Sequence, residues 1–440
     1  MIKVGNDEYR RPLYALSVLF VAWIFAYLDR QILGLMASEI KADLVLSDIQ
    51  ISLLQGLSFS VFFGVAGLFA GRLVDSKNRR TIIVIGIFVW SLMTLASGLV
   101  TSFEGLLIAR MGVGIGEACL APGSVSLVGD IFGPERRGRM MGVLLAGANI
   151  GAALSVLVSG FILQLVGNDM VLVPLLGPTS GWQLTFLIIG GAGLPMALWM
   201  ATVREPQRRD AGAGRATDTV FDDRFGRYLA TYWFLFTLIL ASFAFKFMTA
   251  YGGSAWLPTA FRRVYGIEPG KLGLIVGCMT LVTGLVGGIA GGALSDRFAE
   301  RDPANGRLRL FQLWFFAQFA IFAVIIVTPG LVGSMIAYGL FLLAIALNAA
   351  STYTILSELV PAQFRGRMTA LMLLVANVVG LGGGPLFIAL LTDRVFEDEQ
   401  MLFKSIAIMA MVCSICGWFT MHLAIKGAAA LRQLRIREEA

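Results

Sequence analysis

The chain has 440 residues, of which 57% are hydrophobic and only 14% are charged, and its formal net charge at pH 7 is +7. This composition excludes an ordinary soluble domain and predicts a membrane protein with several spans. The basic residues are dispersed over short segments between hydrophobic stretches, where they orient helices and contact anionic lipid headgroups, so we do not expect nucleic-acid binding.

Twelve hydrophobic segments are long enough to cross a bilayer, whose hydrocarbon core of ~30 Å needs about 20 apolar residues in a helix. They lie at residues 13–38, 50–71, 81–101, 104–130, 139–166, 181–203, 228–252, 271–294, 309–328, 331–358, 367–393 and 402–425. The sequence therefore predicts an all-α polytopic membrane protein with twelve transmembrane helices, numbered here as spans 1 to 12.

The topology follows from the basic residues. Lys3, Arg10 and Arg11 precede span 1, which is interrupted by charge and has no small-residue cleavage site, so it is predicted to be a retained span rather than a signal peptide. If the N-terminus is cytoplasmic, twenty-six of the 35 Lys and Arg residues fall on the inner side, six on the outer side and three within spans. This asymmetry favours a cell (inner) membrane protein with both termini in the cytoplasm.

Two short patterns occur once in each half of the chain. GRLVDSKNRR (71–80) follows span 2 and GALSDRFAERDPANGR (292–307) follows span 8, while DIFGPERRGRM (130–140) follows span 4 and ELVPAQFRGRM (358–368) follows span 10. We therefore predict two copies of one six-helix bundle, at residues 1–203 and 228–440, joined by a polar cytoplasmic linker at 204–227. Two such bundles can rock against each other around a site at mid-membrane.

Four charged residues interrupt spans 1 and 4. The stretch FAYLDRQIL contains Asp29 and Arg30, and LIARMGVGIGE contains Arg110 and Glu117, which lie two helical turns apart on nearly the same face. Charges at this depth cost several kcal/mol each unless they are paired or hydrated, so they usually face a cavity and mark a transport pathway. The alternative is an internal salt-bridge network that only locks the bundle.

These four residues suggest a division of roles. A carboxylate that is alternately desolvated and exposed can take up and release a proton, so we expect Asp29 to carry the proton, alone or shared with Glu117, and Arg30 to modulate it. Arg110 is suited to bind a phosphate or carboxylate group bidentately. Glu117 is expected to compete with the substrate for Arg110, or to receive an amine.

Further polar residues are candidates for substrate contact, although each could instead bond a neighbouring helix. They are Asn149, Asn348, Thr352 and Asn377. Lys246 is predicted near the outer end of span 7, where its long side chain can reach the membrane surface, and either a structural role or steering of a headgroup fits it.

The loop motifs predict a gate at the inner surface, closed when the two halves meet. Its candidate residues are Gly71, Asp75, Arg79, Asp296, Arg137 and Arg365, with Arg367 nearby. The aspartates can cap helix ends of the opposite half, and the arginines can pair with acids. The alternative is that these basic loops only set the topology, and both interpretations can hold.

These motifs resemble the major facilitator superfamily over essentially the whole chain. Gly71, Asp75, Arg79 and Arg80 match its motif between spans 2 and 3, although Ser76 and Asn78 replace the usual Arg and Gly. LIARMGVGIGEA in span 4 is similar to the family's arginine motif. Within the superfamily, the LDR of span 1, RMGVGIGEA, and Pro122 with Ser124 resemble the spinster group of lysolipid and sphingosine phosphate exporters.

The resemblance implies a monomeric, proton-coupled transporter of an amphiphilic lysolipid or sphingoid phosphate that works by alternating access in the lipid bilayer. It also implies that the charged residues of spans 1 and 4 carry proton coupling and substrate contact. The alternatives are a transporter of a small organic anion or a drug-like compound and, from a different class, a passive lipid scramblase or a non-transporting sensor.

Motifs that are typical of enzymes are not expected to be catalytic in this chain. GVGIGE (112–117) lies inside a helix with no preceding strand, so its glycines are predicted to permit close helix packing rather than dinucleotide binding. Cys413 and Cys416 lie in an apolar helix without acidic or histidine neighbours, and His422, the only histidine, has no catalytic partner nearby. We therefore expect no enzymatic activity, cofactor or metal.

Overall fold

The computed structural model describes residues 6–166, 170–174, 177–208, 223–327, 330–361 and 364–439. Within these ranges, twelve helical segments are long and apolar enough to cross a membrane, which confirms the predicted twelve-span, all-α fold. Most of the predicted linker, residues 209–222, lies outside the described residues. The boundaries predicted for the two bundles stay a prediction.

The chain divides into two compact units. The first comprises Met1–Gly214 and Phe261–Leu281, and the second comprises Arg215–Ala260 and Val282–Ala440. Spans 1 to 6 therefore belong to the first unit, together with the end of span 7, the connection that follows it and the start of span 8.

Spans 1 to 6 consist of the following helices. Span 1 is Asn6–Leu44; span 2 is Asp48–Ser52, a π-helix Leu53–Leu57 and Ser58–Ser76; span 3 is Arg79–Ser97; span 4 is Phe103–Glu117 and Leu120–Ile131; span 5 is Pro134–Val166; span 6 is Gly181–Ala201. Between spans 5 and 6, strands Val171–Val173 and Gly177–Thr179 form an antiparallel hairpin. Gly177 has φ +82°, which a residue with a side chain rarely adopts.

The remaining helices are as follows. Asp223–Thr231 precedes span 7, Trp233–Tyr265; span 8 is Pro269–Arg301; span 9 is Gly306–Val327; span 10 is Leu331–Leu359; span 11 is Arg365–Val375, a π-helix Ala376–Gly383, Gly384–Leu390 and a π-helix Leu391–Phe396; span 12 is Leu402–Glu439, after a 3₁₀ turn Glu399–Met401. Aromatic and aliphatic side chains form the core of the second unit, among them Phe236, Phe243, Phe311, Phe315 and Met421.

Two contacts fix span 1 against its neighbours in the first unit. The Ser155 hydroxyl of span 5 donates a hydrogen bond to the backbone oxygen of Leu28 at 2.6 Å. The indole Nε1 of Trp23 donates to the Ser124 hydroxyl of span 4 at 3.2 Å. Both contacts lie on the N-terminal side of Asp29 and fix the rotation of span 1 just before it, and thus the direction in which its charged residues point.

Candidate functional site

Asp29 is buried in the first unit, with 1% of its surface exposed, and it is bound from two other spans. The Thr94 hydroxyl of span 3 donates a hydrogen bond to Oδ2 at 2.8 Å. The guanidinium Nη1 of Arg110, on span 4, donates to Oδ1 at 3.3 Å. This carboxylate is therefore removed from solvent but compensated by one cation and one hydroxyl.

Arg30, the next residue, points to a different partner. Its Nε donates to Glu117 Oε2 at 2.5 Å, and its guanidinium carbon lies 4.9 Å from the ring centroid of Tyr27, 4.9 Å from that of Phe59 and 4.7 Å from that of Phe63. Such stacking of a cation on aromatic faces contributes up to about 2 kcal/mol per contact in a desolvated site. Three rings and a carboxylate thus hold the guanidinium of Arg30.

Glycines of span 4 bring these residues together. A Cβ atom added to Gly114 would lie 2.7 Å from the backbone oxygen of Phe59 on span 2, and one added to Gly116 would lie 2.6 Å from the backbone nitrogen of Trp90 on span 3. Span 4 therefore contacts both neighbours through its backbone, as predicted for GVGIGE. Its first helix ends at Glu117 and the next begins at Leu120.

We refer to Asp29, Arg30, Arg110 and Glu117 as the charge cluster. Its formal charges cancel, yet its hydrogen bonds are incomplete: within the described part of the chain, Arg110 Nε and Glu117 Oε1 are buried and have no hydrogen-bond partner. An unpartnered buried polar atom costs roughly 1–3 kcal/mol. One donor and one acceptor of the cluster are therefore available to a ligand, a water molecule or a proton.

The pairing differs from the expectation that Glu117 competes for Arg110. Arg110 is bonded to Asp29, and Glu117 is bonded to Arg30. In this arrangement Asp29, rather than Glu117, is the acid that an incoming anion would displace from Arg110. The sequence could not show this, because it places both acids within reach of both arginines but does not give the rotation of span 1.

Several residues around the cluster were not predicted. Thr94 and the three aromatic residues that contact Arg30 are among them. Gln55 is a further buried polar residue of span 2 that was not predicted. Gln55 lies in the π-turn of span 2, one helical turn before Phe59, and both polar atoms of its buried side chain lack a partner among the described residues. π-turns occur often at functional sites, but no signal in the sequence marked this one.

The polar residues predicted to contact substrate lie in different places. Asn348 and Thr352 of span 10 are buried and bind Lys246. Asn377, on span 11, is half-buried and donates to the Leu373 backbone oxygen at 2.7 Å, and Asn149 is exposed on span 5. Asn348, Thr352 and Asn377 thus belong to the second unit and Asn149 to the first, and the contact of all four with substrate stays a prediction.

The predicted position of Lys246 was wrong. Lys246 lies near the middle of span 7, which continues to Tyr265, and only 3% of it is exposed. Its side chain therefore does not extend to the membrane surface. The error arose because span 7 was predicted to end at residue 252, thirteen residues before the helix does.

At the predicted inner end of the first unit, Arg79 is fully buried. Its Nε donates to Glu205 Oε1 at 2.7 Å and its Nη1 binds Asp130 and the Ser126 hydroxyl, the latter at 3.1 Å. Arg79 thus joins the start of span 3 to the end of span 4 and to the segment after span 6. Asp130 and Glu205 also line a cavity of about 740 Å³.

The other predicted gate residues also have contacts within their own units. Arg137 donates to the Gly129 backbone oxygen at 2.7 Å, and Arg208 caps span 2 through the backbone oxygens of Asp75 and Val74. In the second unit, Asp296 pairs with Arg307 at 3.0 Å and Arg365 donates to the Val360 backbone oxygen at 3.1 Å. A Cβ atom added to Gly71 would meet open space. The gating role stays a prediction.

A second group of ion pairs in the first unit was not predicted. Asp48, at the start of span 2, is fully buried and accepts from Arg263 Nη1 at 2.6 Å, from Arg263 Nη2 at 2.8 Å and from Lys41 at 2.7 Å. Arg262 pairs with Glu39 and also donates to the Leu35 backbone oxygen at 2.9 Å. These pairs attach the end of span 7 to spans 1 and 2.

Comparison with known proteins identifies the family. Residues 19–385 match the model of the Major Facilitator Superfamily. The chain belongs to this superfamily. It is therefore a multi-pass membrane transporter, which agrees with its twelve spans and duplicated loop motifs.

Relatives within the superfamily differ in what they transport. An MFS-type efflux pump of Mycolicibacterium smegmatis is 26% identical over 432 residues, covering 93% of this chain and 92% of the relative. The sphingosine-1-phosphate transporter SPNS2 of Danio rerio is 27% identical over 436 residues, covering 92% and 81%. A probable L-galactonate transporter of Escherichia coli is 30% identical over 293 residues, covering 64% and 61%.

Among solved structures, a bacterial homologue of the human lysosomal transporter Spinster, in an inward-facing and unoccupied conformation, has the same fold. Its TM-score is 0.74 at 23% identity, and the match covers 95% of this chain and 96% of that one. The comparisons thus confirm the resemblance of this superfamily member to spinster proteins.

Proposed function

We propose that this chain is a proton-coupled secondary transporter that carries a single-chain amphiphile with an anionic headgroup, a lysolipid or sphingoid phosphate, by alternating access. The observation that carries the proposal is the charge cluster of the first unit, in which Asp29, Arg110 and Glu117 are buried and Arg30 is partly buried, while Arg110 Nε and Glu117 Oε1 lack partners among the described residues. We further propose that it works as a monomer in the cell (inner) membrane with both termini in the cytoplasm.

The incomplete bonding argues against a cluster that only locks the helices. A network that only locks helices together stabilises the fold most when every buried polar atom has a hydrogen bond, because each unpartnered atom lowers the stability. Here an arginine donor and a carboxylate acceptor are left open beside Arg30, whose side chain is 20% exposed. The arrangement suits a site that changes partners during a cycle.

The pairing of Asp29 with Arg110 supplies a coupling scheme. An anionic headgroup that binds the guanidinium of Arg110 competes with Asp29 for it. Asp29, deprived of its cation in a buried position, is then stabilised by taking up a proton. Anion binding to Arg110 and protonation of Asp29 therefore favour each other, and Arg30 with Glu117 forms a second pair that can respond in the same way.

The lipid-like nature of the substrate is supported by similarity and by the aromatic surroundings of the cluster. SPNS2, 27% identical over most of both chains, is a sphingosine-1-phosphate transporter. The rings of Tyr27 and Phe63, which are partly exposed, lie against Arg30 and offer apolar surface beside a cation, as an amphiphile near its headgroup requires.

Reconstitution into liposomes tests the proposal. A fluorescent lysolipid phosphate is expected to move faster when a pH gradient is imposed, and Asp29→Asn is expected to abolish the effect of the gradient, because an amide cannot take up the proton. Glu104→Gln is the matched control, since Glu104 is an exposed acid at the start of span 4. A normal gradient response in Asp29→Asn would refute the role of Asp29.

The same assay separates the proposal from a passive scramblase or a sensor. Lysolipid flux that ignores the pH gradient in the wild-type protein would favour a scramblase, and absence of flux of the lysolipid, of the sugar acids and of drug-like compounds alike would favour a sensor. Both outcomes contradict proton coupling, whatever the behaviour of the Asp29 variant.

A sugar acid is the second candidate substrate. The probable L-galactonate transporter of Escherichia coli is 30% identical over 293 residues, and a sugar carboxylate can be bound by Arg110 as well as a phosphate can. Proton-driven uptake of radiolabelled galactonate or galacturonate, without movement of the lysolipid phosphate, would favour this candidate. Transport of a neutral or cationic drug instead would favour a drug-like substrate.

A further inference from the structure

Lys246 is buried in the middle of span 7 of the second unit. Its Nζ donates to the Asn348 backbone oxygen at 3.2 Å, contacts Asn348 Oδ1 at 3.5 Å and binds the Thr352 hydroxyl. The ring centroids of Phe311 and Phe247 lie 5.2 and 5.6 Å from the ammonium nitrogen. Every one of these partners is formally neutral.

No carboxylate of the described residues lies within ion-pair distance of Lys246. The arginines of the first unit's charge cluster, by contrast, each have an acid. A buried ammonium without a counter-ion is costly at membrane depth, and hydrogen bonds from neutral oxygens and contacts with aromatic rings offset only part of that cost. A bound anion would therefore supply the negative charge that the described side chains around Lys246 lack.

The internal repeat places Lys246 on the helices that correspond to those of the charge cluster. Because spans 7 to 12 repeat spans 1 to 6, span 7 is the counterpart of span 1 and span 10 is the counterpart of span 4. Lys246 joins span 7 to span 10 through Asn348 and Thr352, just as Asp29 and Arg30 join span 1 to span 4. In both copies, buried polar side chains therefore connect the first helix of the copy to its fourth.

The two copies differ in charge. The first copy balances two cations with two acids, whereas the second has one cation and no acid among its described partners. A purely structural connection between spans 7 and 10 needs only a neutral amide or a pair of apolar side chains, which cost less to bury. The excess positive charge points to recognition of an anion.

We propose that Lys246, oriented by Asn348 and Thr352, is an anion-binding subsite of the second unit that takes the phosphate or carboxylate group of the transported substrate. The inference rests on the proposed function in that it requires an anionic substrate, but it is independent of proton coupling and of Asp29. It also gives Asn348 and Thr352 a positioning role, since both hold the ammonium.

The test compares matched anionic and neutral probes on the purified full-length protein in nanodiscs. One pair is a single-chain glycerophosphate lipid and the corresponding monoacylglycerol, which lacks the phosphate, and the other pair is galacturonate and galactose, so that the two possible sources of the anion are separated. The wild-type protein is expected to bind one of the two anions more tightly than its neutral counterpart.

Three substitutions then examine Lys246. Lys246→Met is expected to weaken binding of that anion about tenfold or more, because a hydrogen bond to a charged group is lost, and to change binding of the neutral probe far less. Lys246→Arg should keep most of the preference for the anion. Asn348→Asp places a carboxylate beside the ammonium and should reduce the preference without removing the lysine, which keeps the test valid if Lys246→Met does not fold.

Gln318→Met is the control for loss of a buried polar side chain in the same unit, since Gln318 Nε2 donates to Thr249, Ala410 and Ser414. It should leave the preference for the anion unchanged. Equal weakening of the anionic and neutral probes in Lys246→Met, or an unchanged preference in both Lys246→Met and Asn348→Asp, would overturn the inference alone. A wild-type protein that prefers neither anion would overturn it together with the proposed anionic substrate.

Discussion

Asp29 and Arg30 are adjacent in sequence, but they bind different residues of span 4 because consecutive helical residues point about 100° apart. Asp29 binds Arg110 and Arg30 binds Glu117, so each acid is held by an arginine from the other helix. A ligand that takes Arg110 leaves the second pair in place. Spans 1 and 4 can thus stay attached while one acid of the cluster changes its protonation.

Thr94→Val is expected to shift the pH dependence of transport. The Thr94 hydroxyl donates to Asp29 Oδ2 at 2.8 Å and stabilises the carboxylate form, so its loss lets Asp29 keep its proton to higher pH. The midpoint of the rate against pH should therefore move toward alkaline pH, by about one unit or more if the bond contributes ~1.5 kcal/mol.

The pH profile of lysolipid flux in liposomes measures this shift. Thr81→Val is a suitable control, because Thr81 lies at the exposed start of the same span and bonds only to Asn78 in the described structure. A profile that stays in place, or that moves toward acid pH, would show that the bond to Thr94 does not tune the proton uptake proposed for Asp29.

The four members of the charge cluster could be predicted from the sequence because a charge inside an apolar segment is conspicuous without any tertiary information. Their pairing could not, since it depends on how spans 1 and 4 are rotated about their axes. Thr94 and Gln55 were missed because hydroxyl and amide side chains are common in membrane helices. Lys246 was misplaced because span 7 was predicted to end at residue 252, whereas its helix continues to Tyr265.

At the scale of the helix, glycines determine how span 4 packs. Gly112 and Gly116 lie one turn apart on the same face and pack on Met93 and Trp90 of span 3, whereas Gly114 lies on the opposite face and packs on Phe59 of span 2. Span 4 is therefore wedged between spans 2 and 3. This close packing places Arg110 and Glu117 within reach of span 1.

Gly116→Ala is expected to destabilise the protein and to disturb the cluster. Its added Cβ would lie 2.6 Å from the Trp90 backbone nitrogen and 2.7 Å from the Gly86 backbone oxygen, and backbone atoms cannot move without shifting a helix. Overpacking of this kind typically costs about 1–3 kcal/mol, so we expect a lower apparent melting temperature in detergent and slower flux.

Gly67→Ala is the matched control for Gly116→Ala. A Cβ atom on Gly67, in span 2, meets nothing within 4 Å, and alanine favours the helix by up to about 1 kcal/mol over glycine. Its melting temperature should be equal to that of the wild-type protein or higher. Equal stability of the two variants would mean that span 4 can move away from span 3 at little cost.

The helices themselves were largely predictable, because about 20 apolar residues in a row are needed to cross a bilayer. Departures from regular helix were less so. The π-turn Leu53–Leu57 contains a single glycine, Gly56, and no proline, whereas the π-helix Ala376–Gly383 of span 11 contains three glycines. Local geometry of this kind depends on the helices packed around it, which the sequence does not give.

At the scale of the whole molecule, the compact units do not follow the internal repeat. The repeat assigns spans 7 and 8 to the second copy, yet Phe261–Leu281 belongs to the first unit. Two ion-pair groups account for part of this attachment: Arg263 with Asp48, and Arg262 with Glu39. A sequence repeat indicates a common origin of two segments, whereas each compact unit is a group of residues that pack together in the fold.

Charge exchange between Glu39 and Arg262 tests this attachment. Both side chains are more than four-fifths buried, and the guanidinium binds both carboxylate oxygens. Glu39→Lys and Arg262→Glu are each expected to lower the apparent melting temperature by a few degrees, because each places two like charges together. The double variant restores opposite charges and should recover part of the loss, with a coupling of ~0.5–3 kcal/mol.

Lys271→Glu is the control, since Lys271 is 70% exposed and its ion pair is with Glu268, one turn away, and an exposed pair of this kind contributes little. Thermal unfolding in detergent and lysolipid flux should be measured on the wild-type protein and on each of these variants. Additive losses in the double variant would show that Glu39 and Arg262 act separately. The attachment of residues 261–281 to the first unit would then depend on the ion pair of Asp48 with Arg263. It would depend also on the packing of Gly273 against Val156 and Gly160.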